Sequence, residues 1–289
     1  MNPLCATVPL LGPLGGWDGR FQRDCGARPW FLLWHLGCDS VRQNSLRLTT
    51  SWDDGHPLDF RIAEMLERYG LAGTFYVPRQ AETEVMSTAQ VQELSKHFEI
   101  GAHTLDHVRL HDIPEAEARR QMSSSRAWVE EITGKPCEVF CFPGGKFRRN
   151  QLPLVRECGF VAARTVEMMS LAGPKTRQGV ALLATTIQAH PHSLLTYMRN
   201  VVRRWQTKNL WLLRFHHGAK HWASTAIALL NCARREGGVF HLWGHSWEIE
   251  ETGQWGALER VLAAMGECKQ EARCLTNGEL SQNGGPGCQ

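Results

Sequence analysis

A chain of 289 residues, 43% of them hydrophobic and 21% charged, is long enough for one large α/β domain and excludes a fibrous or disordered chain. Its formal net charge of +3 is carried by scattered short pairs such as Arg119-Arg120, Arg148-Arg149 and Arg203-Arg204, too thin a distribution for a nucleic-acid footprint. No run approaches the roughly 20 apolar residues of a membrane span, and Pro3, Pro9 and Pro13 interrupt what would be the apolar core of a secretory signal. The default expectation is therefore a cytoplasmic location, with export left open.

Residues 1–44 show neither a helical nor an alternating period and are rich in Gly, Pro and Cys, so they are expected to form an extension with little structure of its own. From residue 45 to 266 the chain alternates short apolar or β-branched runs with amphipathic stretches, the pattern of βα units around a parallel sheet. The expected strands are Leu46–Trp52, Gly73–Val77, Glu99–Ala102, Glu138–Phe142, Gly159–Arg164, Leu182–Ile187 and Val239–Trp243. The expected helices run from Pro57 to Tyr69, Thr88 to His97, Glu115 to Ile132, Gln151 to Cys158, Ser193 to Trp205, Ala223 to Glu236 and Trp255 to Met265, with a further apolar run at Trp211–Phe215. Residues 267–289, ending in Asn283-Gly284-Gly285-Pro286-Gly287, read as a flexible tail. Ten cysteines are present without any Cys-x-x-Cys pair, and seven of them lie before residue 39 or from residue 232 onward. They read as small buried hydrophobes or as parts of poorly ordered ends, not as a zinc ribbon or a disulfide framework.

Four polar clusters fall at expected strand C-terminal ends, where a (β/α) barrel gathers its active site. They are Asp53-Asp54-Gly55, His103 to His107, Pro143-Gly144-Gly145 and Gly244-His245-Ser246. His103 and His107 are four residues apart, which sets two imidazoles side by side if the segment turns helically. His107/His111 and His241/His245 share that spacing, and such a pair alone is more often an accident of packing. Adjacent acids after a strand are as often a turn or cap signal as a site. Together, two imidazoles and one carboxylate complete a divalent-metal site with open positions, and the second carboxylate is left free to act as a base.

The segment Thr50-Ser51-Trp52-Asp53-Asp54-Gly55 resembles the first motif of the polysaccharide deacetylases, the NodB homology domain of carbohydrate esterase family 4. His103-Thr104-Leu105-Asp106-His107 resembles the second. The resemblance covers roughly Leu46 to Met265 and implies a distorted (β/α) barrel that removes N- or O-linked acetyl groups from a carbohydrate. It further implies Asp54, His103 and His107 as metal ligands, zinc as the default ion though that ligand set suits other first-row metals, and Asp53 as general base. In the third motif Cys141 stands where the family has an Arg that orients the base, so Arg164, at the next strand exit, is expected to replace it. Backbone groups after Pro143, at Gly144, are expected to help bind the oxyanion. The last motif resembles Phe240 to Glu248, with His245 preferred over His241 as general acid; Trp243 and Trp247 are expected to wall the site against a sugar ring, with a place in the core the alternative for Trp243. Two alternatives stay open: an inactive carbohydrate-binding barrel, which the missing Arg favours, and an amidohydrolase for a small cyclic amide or imide.

Overall fold

The computed structural model describes residues 45–203, 207–218 and 221–282. The extension expected over 1–44 lies outside these residues, as do the last seven positions. In chain order the first half runs β1 (Leu46–Asp53), α1 (Asp59–Tyr69), β2 (Thr74–Val77), α2 (Thr88–Leu94), β3 (Glu99–Ala102), α3 (Glu115–Thr133), β4 (Val139–Cys141), α4 (Leu152–Glu157) and β5 (Ala162–Arg164). The second half adds β6 (Lys175–Arg177), β7 (Val180–Leu183), β8 (Ile187–Gln188), α5 (Leu194–Arg203), α6 (Trp222–Glu236), β9 (Gly238–Gly244), α7 (Ser246–Glu251), α8 (Trp255–Glu267), β10 (Ala272–Cys274) and α9 (Asn277–Gln282).

The strands form one sheet in the order β6-β7-β5-β4-β3-β2-β1-β9-β8, with β10 beside β1. Strand β1 is its hub. One edge carries β9 along Leu46–Trp52, while the other is shared by β10 against Leu46–Leu48 and β2 against Ser51–Asp53. Every pairing is parallel except the β6–β7 hairpin. Strand β2 is covered on both faces, and its four residues are all buried. The main core lies between sheet and helices, joining Trp52 and Phe75 to Leu66, Leu230 and Leu262. Parallel pairing puts the C-terminal ends of β1, β3, β4, β5 and β9 at one rim, and the chain is thus the distorted α/β barrel expected of it.

Two local expectations are corrected and two elements are added. Leu182–Ile187 is not one strand but the end of β7 and the start of β8, separated by a crossover. Trp211–Phe215 lies in a 3₁₀ segment, Thr207–Phe215. Helix α7 was not foreseen. The C-terminal stretch expected as a flexible tail carries β10 and α9, and Leu275 and Leu280 enter an inner cluster with Tyr76, Val139 and Leu183. Glu99 accepts from the Gly278 N–H, and Thr74 Oγ1 accepts from the Asn277 N–H, fastening α9 across the N-terminal ends of β2 and β3. The end of the barrel opposite the polar rim is thereby plugged.

Candidate active site

Strand β1 ends on Asp53, and the chain leaves through Asp54 at φ 74° and Gly55 at φ 63°. A Cβ on Gly55 would stand 2.6 Å from Val77 Cγ1, so this exit requires glycine. Left-handed Asp54 is the sort of strained residue that persists where a site over-determines it. After β3, Thr104 (φ 61°) and His107 (φ 51°) are also left-handed. The helical turn expected to pair the imidazoles is therefore absent. An irregular loop brings their ring centroids to 5.0 Å instead.

Asp54 Oδ1 lies 3.1 Å from His107 Nε2 and 3.4 Å from His103 Nε2, and the three donor atoms fall within 4.8 Å of one another. His103 Nδ1–H donates to the Cys141 carbonyl at 2.9 Å, which leaves the Nε2 lone pair facing Asp54. Trp247 Nε1–H donates to Asp54 Oδ2 at 3.0 Å and so turns Oδ1 toward the two histidines. Two imidazole nitrogens and one carboxylate oxygen, with His103 Nδ1 and Asp54 Oδ2 already tied, fit a divalent first-row ion. Trp247, expected against a sugar, is not among the residues lining the cleft; its indole acts on Asp54.

Asp53 is 4% exposed in its side chain and Arg164 0%. The Arg164 guanidinium donates to Asp53 Oδ2, and the Cys141 thiol reaches the same oxygen at 3.8 Å. Cys141 and Arg164 are register partners on β4 and β5, so the cation reaches Asp53 from one strand further along at the same level. The guanidinium also lies between the Trp243 and Tyr76 rings, 4.6 and 5.6 Å from their centroids. Burial works against the Asp53 charge, but Arg164, with His103 and His245, holds its carboxyl below the usual range. Burial pushes the Cys141 thiol well up, which favours the S–H form beside Asp53, and Asp53, His103 and Cys141 form a second group of donor atoms within 4.8 Å of one another. Asp53 Oδ1 is buried and has no hydrogen-bond partner among the described residues.

At the end of β9, His245 Nδ1–H donates to Glu248 Oε2 at 2.5 Å, and its Nε2 stands 3.9 Å from both Asp53 and Asp54. Burial opposes a charge on this ring, yet Glu248, Asp54 and Asp53 outweigh it and raise the imidazole to about 9. Glu248 is held in turn by Gln188 Nε2 at 2.8 Å, and Gln188 Oε1 contacts His192 Nε2 at 2.8 Å. Neither Glu248 nor Gln188 was singled out in the sequence, although Glu248 follows His245 by three residues, one helical turn. His241 points the other way. It is fully buried between Ser51 Oγ at 2.8 Å and the Ala184 carbonyl at 2.9 Å, and burial lowers it to about 3. Pro143 and Gly144 line the same cleft of about 770 Å³ as Asp53, Asp54, His103, His107 and His245, while Arg164 lies behind Asp53.

Two carboxylates and two imidazoles thus converge at the C-terminal rim of a parallel α/β barrel. Residues 41–163 match the polysaccharide deacetylase family model, as the two motifs led one to expect. A chitooligosaccharide deacetylase from Azorhizobium caulinodans is 30% identical over 122 residues, 41% of this chain and 58% of the relative, so the match spans less than two thirds of that protein. The fold is similar to that of a Mycobacterium smegmatis protein assigned as a polysaccharide deacetylase, at TM-score 0.61 and 15% identity over 83% of this chain and 90% of that one. It is also similar to PuuE allantoinase, at TM-score 0.58 and 11% identity over 83% and 91%. A family 4 acetyl xylan esterase from Clostridium thermocellum, in complex with a cobalt ion, matches at TM-score 0.51 and 16% identity over 83% and 93%. Identities this low carry the fold alone. No helix among the described residues is long and apolar enough to cross a membrane.

Proposed function

We propose that the chain is a metal-dependent hydrolase that removes acetyl groups, N- or O-linked, from a carbohydrate. The observation that carries this reading is the convergence of Asp54 Oδ1, His103 Nε2 and His107 Nε2 beside the unpartnered Asp53 Oδ1. Asp54, His103 and His107 would hold the ion, with zinc the default, and when bound it supplies polarisation of the acetyl carbonyl and a lowered pKa for the attacking water.

The remaining work falls to the protein. Asp53 accepts the water's proton at Oδ1, the oxygen that no group among the described residues engages, while Arg164 keeps Oδ2 occupied and the carboxylate ionised. His245 carries a proton at Nε2 and gives it to the departing amine or alcohol, with Glu248 fixing the ring through Nδ1. Pro143 and Gly144 form the wall against which the acetyl group turns. Buried His241 has no route to the cleft and serves the core. Keeping both ligands and base speaks against an inactive binding barrel. Hydrolysis of small cyclic amides has only the shared fold in its favour.

The test is acetate release from a panel of acetylated chitin, peptidoglycan and xylan oligomers, with and without chelator, alongside metal content of wild type and His103→Ala. Stoichiometric metal in the wild type, its loss in the variant and chelator-sensitive acetate release are expected. Unchanged metal in His103→Ala, or no acetate from any member of the panel, would overturn the reading.

A further inference from the structure

The catalytic cleft does not end at its ligands. Through Gly144, Val166 and Asn200, which line both, it opens into a second depression of about 1180 Å³ walled by the β6–β7 hairpin, helix α5 and the loop after β4. Pockets for a drug-sized molecule run to roughly 300–1,000 Å³. The combined space therefore suits an oligomer extending several units from the reacting group.

The chemistry of this second wall is one-sided. Lys146, Arg148, Lys175, Arg177 and Arg199 line it, against a single carboxylate, Glu167, among the described lining residues. Five cations are thus gathered on one wall of a chain whose whole net charge is +3. Exposed arginines elsewhere are matched by carboxylates, as in Arg68–Glu259 and Arg119–Glu157, whereas this wall sets five cations against the one described carboxylate. The catalytic cleft itself is mixed, with Glu82, Asp106 and Asp112 beside Arg109 in its lining. The positive charge is therefore concentrated toward β6 and α5. Helix α5 adds apolar surface to the same wall, with Leu195 62% and Val202 58% exposed. Apolar contacts interleaved with cations suit the C–H faces of pyranose rings that bear negative substituents.

We propose that this basic wall is a subsite for carboxylate or phosphate groups carried on the same glycan whose acetyl group lies at the Asp54, His103 and His107 cluster, so that the substrate is an acidic, acetylated oligosaccharide. The identification of the substrate's acetyl end rests on the deacetylase reading above. The anionic subsite itself rests on the wall alone.

The test uses the full chain and a Lys175→Gln/Arg177→Gln/Arg199→Gln variant, whose substitutions lie at exposed positions away from the catalytic residues. Binding of fluorescein-labelled oligogalacturonate and of a phosphodiester-linked mannan oligomer, neither acetylated, is measured against neutral cellohexaose. Wild type should bind at least one acidic probe about tenfold or more tightly than the neutral one, the sum expected of three exposed ion pairs. The preference should fall at 0.5 M salt and vanish in the triple variant, and Arg177→Lys/Arg199→Lys should retain it. Which probe binds tells carboxylate from phosphate. Equal binding of acidic and neutral probes, or a triple variant that binds like wild type, overturns the subsite. Acetate release is followed in parallel, and for an acidic acetylated substrate the triple variant should raise KM with kcat unchanged. If no substrate releases acetate while the charge-dependent binding holds, the deacetylase reading fails and the subsite stands.

Discussion

Arg164 offers the sharpest test of how the site is built. With side-chain exposures of 0% and 4%, Arg164 and Asp53 form an ion pair without solvent, and only one guanidinium nitrogen has a hydrogen-bond partner among the described residues. Arg164→Met keeps much of the volume but leaves a buried carboxylate without its cation, a change that costs about 3–5 kcal/mol. At roughly 2–4 °C per kcal/mol for a domain of this size, the melting temperature should fall by roughly 6–20 °C. Asp53 would then escape the penalty by taking up a proton, and a protonated base is no base, so acetate release should drop by a factor on the order of 10² to 10⁴. Two second-site changes separate this account from simple loss of packing. Asp53→Asn added to Arg164→Met removes the orphan charge and should recover most of the stability but none of the activity. Cys141→Arg in the same background returns a cation to the neighbouring strand at the same register and should recover both. Guanidinium unfolding followed by tryptophan fluorescence, together with acetate-release kinetics, reads each outcome. An Arg164→Met variant within about 1 kcal/mol of wild type, or an Asp53→Asn double variant less stable than the single one, refutes the reasoning.

Other substitutions divide the roles among neighbours. Asp53→Asn should retain stoichiometric metal by mass spectrometry while acetate release falls on the order of 10² to 10⁴; full activity would remove Asp53 from the role of base. His245→Ala should lower kcat with little loss of stability. His241→Ala should instead leave Ser51 and the Ala184 carbonyl unpaired, costing roughly 1–3 kcal/mol each, and should keep kcat near wild type in protein that remains folded; the opposite pattern would exchange the two histidines. Glu99 predicts a pH effect on stability. Burial pushes its carboxyl above the ordinary value of 4.5 despite the Thr74 and Gly278 donors, so the folded chain binds the proton more tightly than the unfolded one. The stability this contributes is complete below the unfolded pKa and is lost as pH rises through the raised folded value. Glu99→Gln should remove that loss, so the difference in melting temperature, variant minus wild type, should climb between pH 4 and pH 8; a flat or falling difference counts against it.

What the sequence makes readable here is whatever depends on local period and strand ends. Parallel strands buried on both faces leave short apolar runs, and polar residues directly after such runs must lie at one rim, so Asp53, His103, Pro143 and His245 could be grouped before any coordinates. The i, i+4 spacing of His103 and His107 led to the right residues for the wrong reason, since two left-handed residues, not a helical turn, bring the rings together. The β6–β7 hairpin had no alternation to betray it, because all three residues of β6 are exposed. Helix α9 did leave a signal. Thr276 and Glu279 bond each other's backbone N–H in a capping box, but the Gly- and Asn-rich residues that follow concealed it. The Trp247 contact with Asp54 and the tie from Glu248 to Gln188 span 193 and 60 residues, and no local pattern encodes them.

The Asp53–Arg164 pair shows how a buried carboxylate can draw its cation from a strand other than its neighbour. A buried carboxylate that must remain ionised requires a buried positive partner, and the partner's identity matters less than its distance and its own surroundings. Neighbouring parallel strands present residues at the same height, so position 164 can supply a cation at the level of position 141 without moving the backbone. The cost is that a guanidinium reaching in from β5 must cross the interior, where it needs surfaces that tolerate charge. The Trp243 and Tyr76 rings provide them, and a small, un-ionised Cys141 leaves the path clear. On this argument Cys141 is the compensation for Arg164 and not a sign of a failing site. A bulkier residue at 141 such as Leu should therefore displace the guanidinium and lower activity through Asp53, even though no charge has been touched.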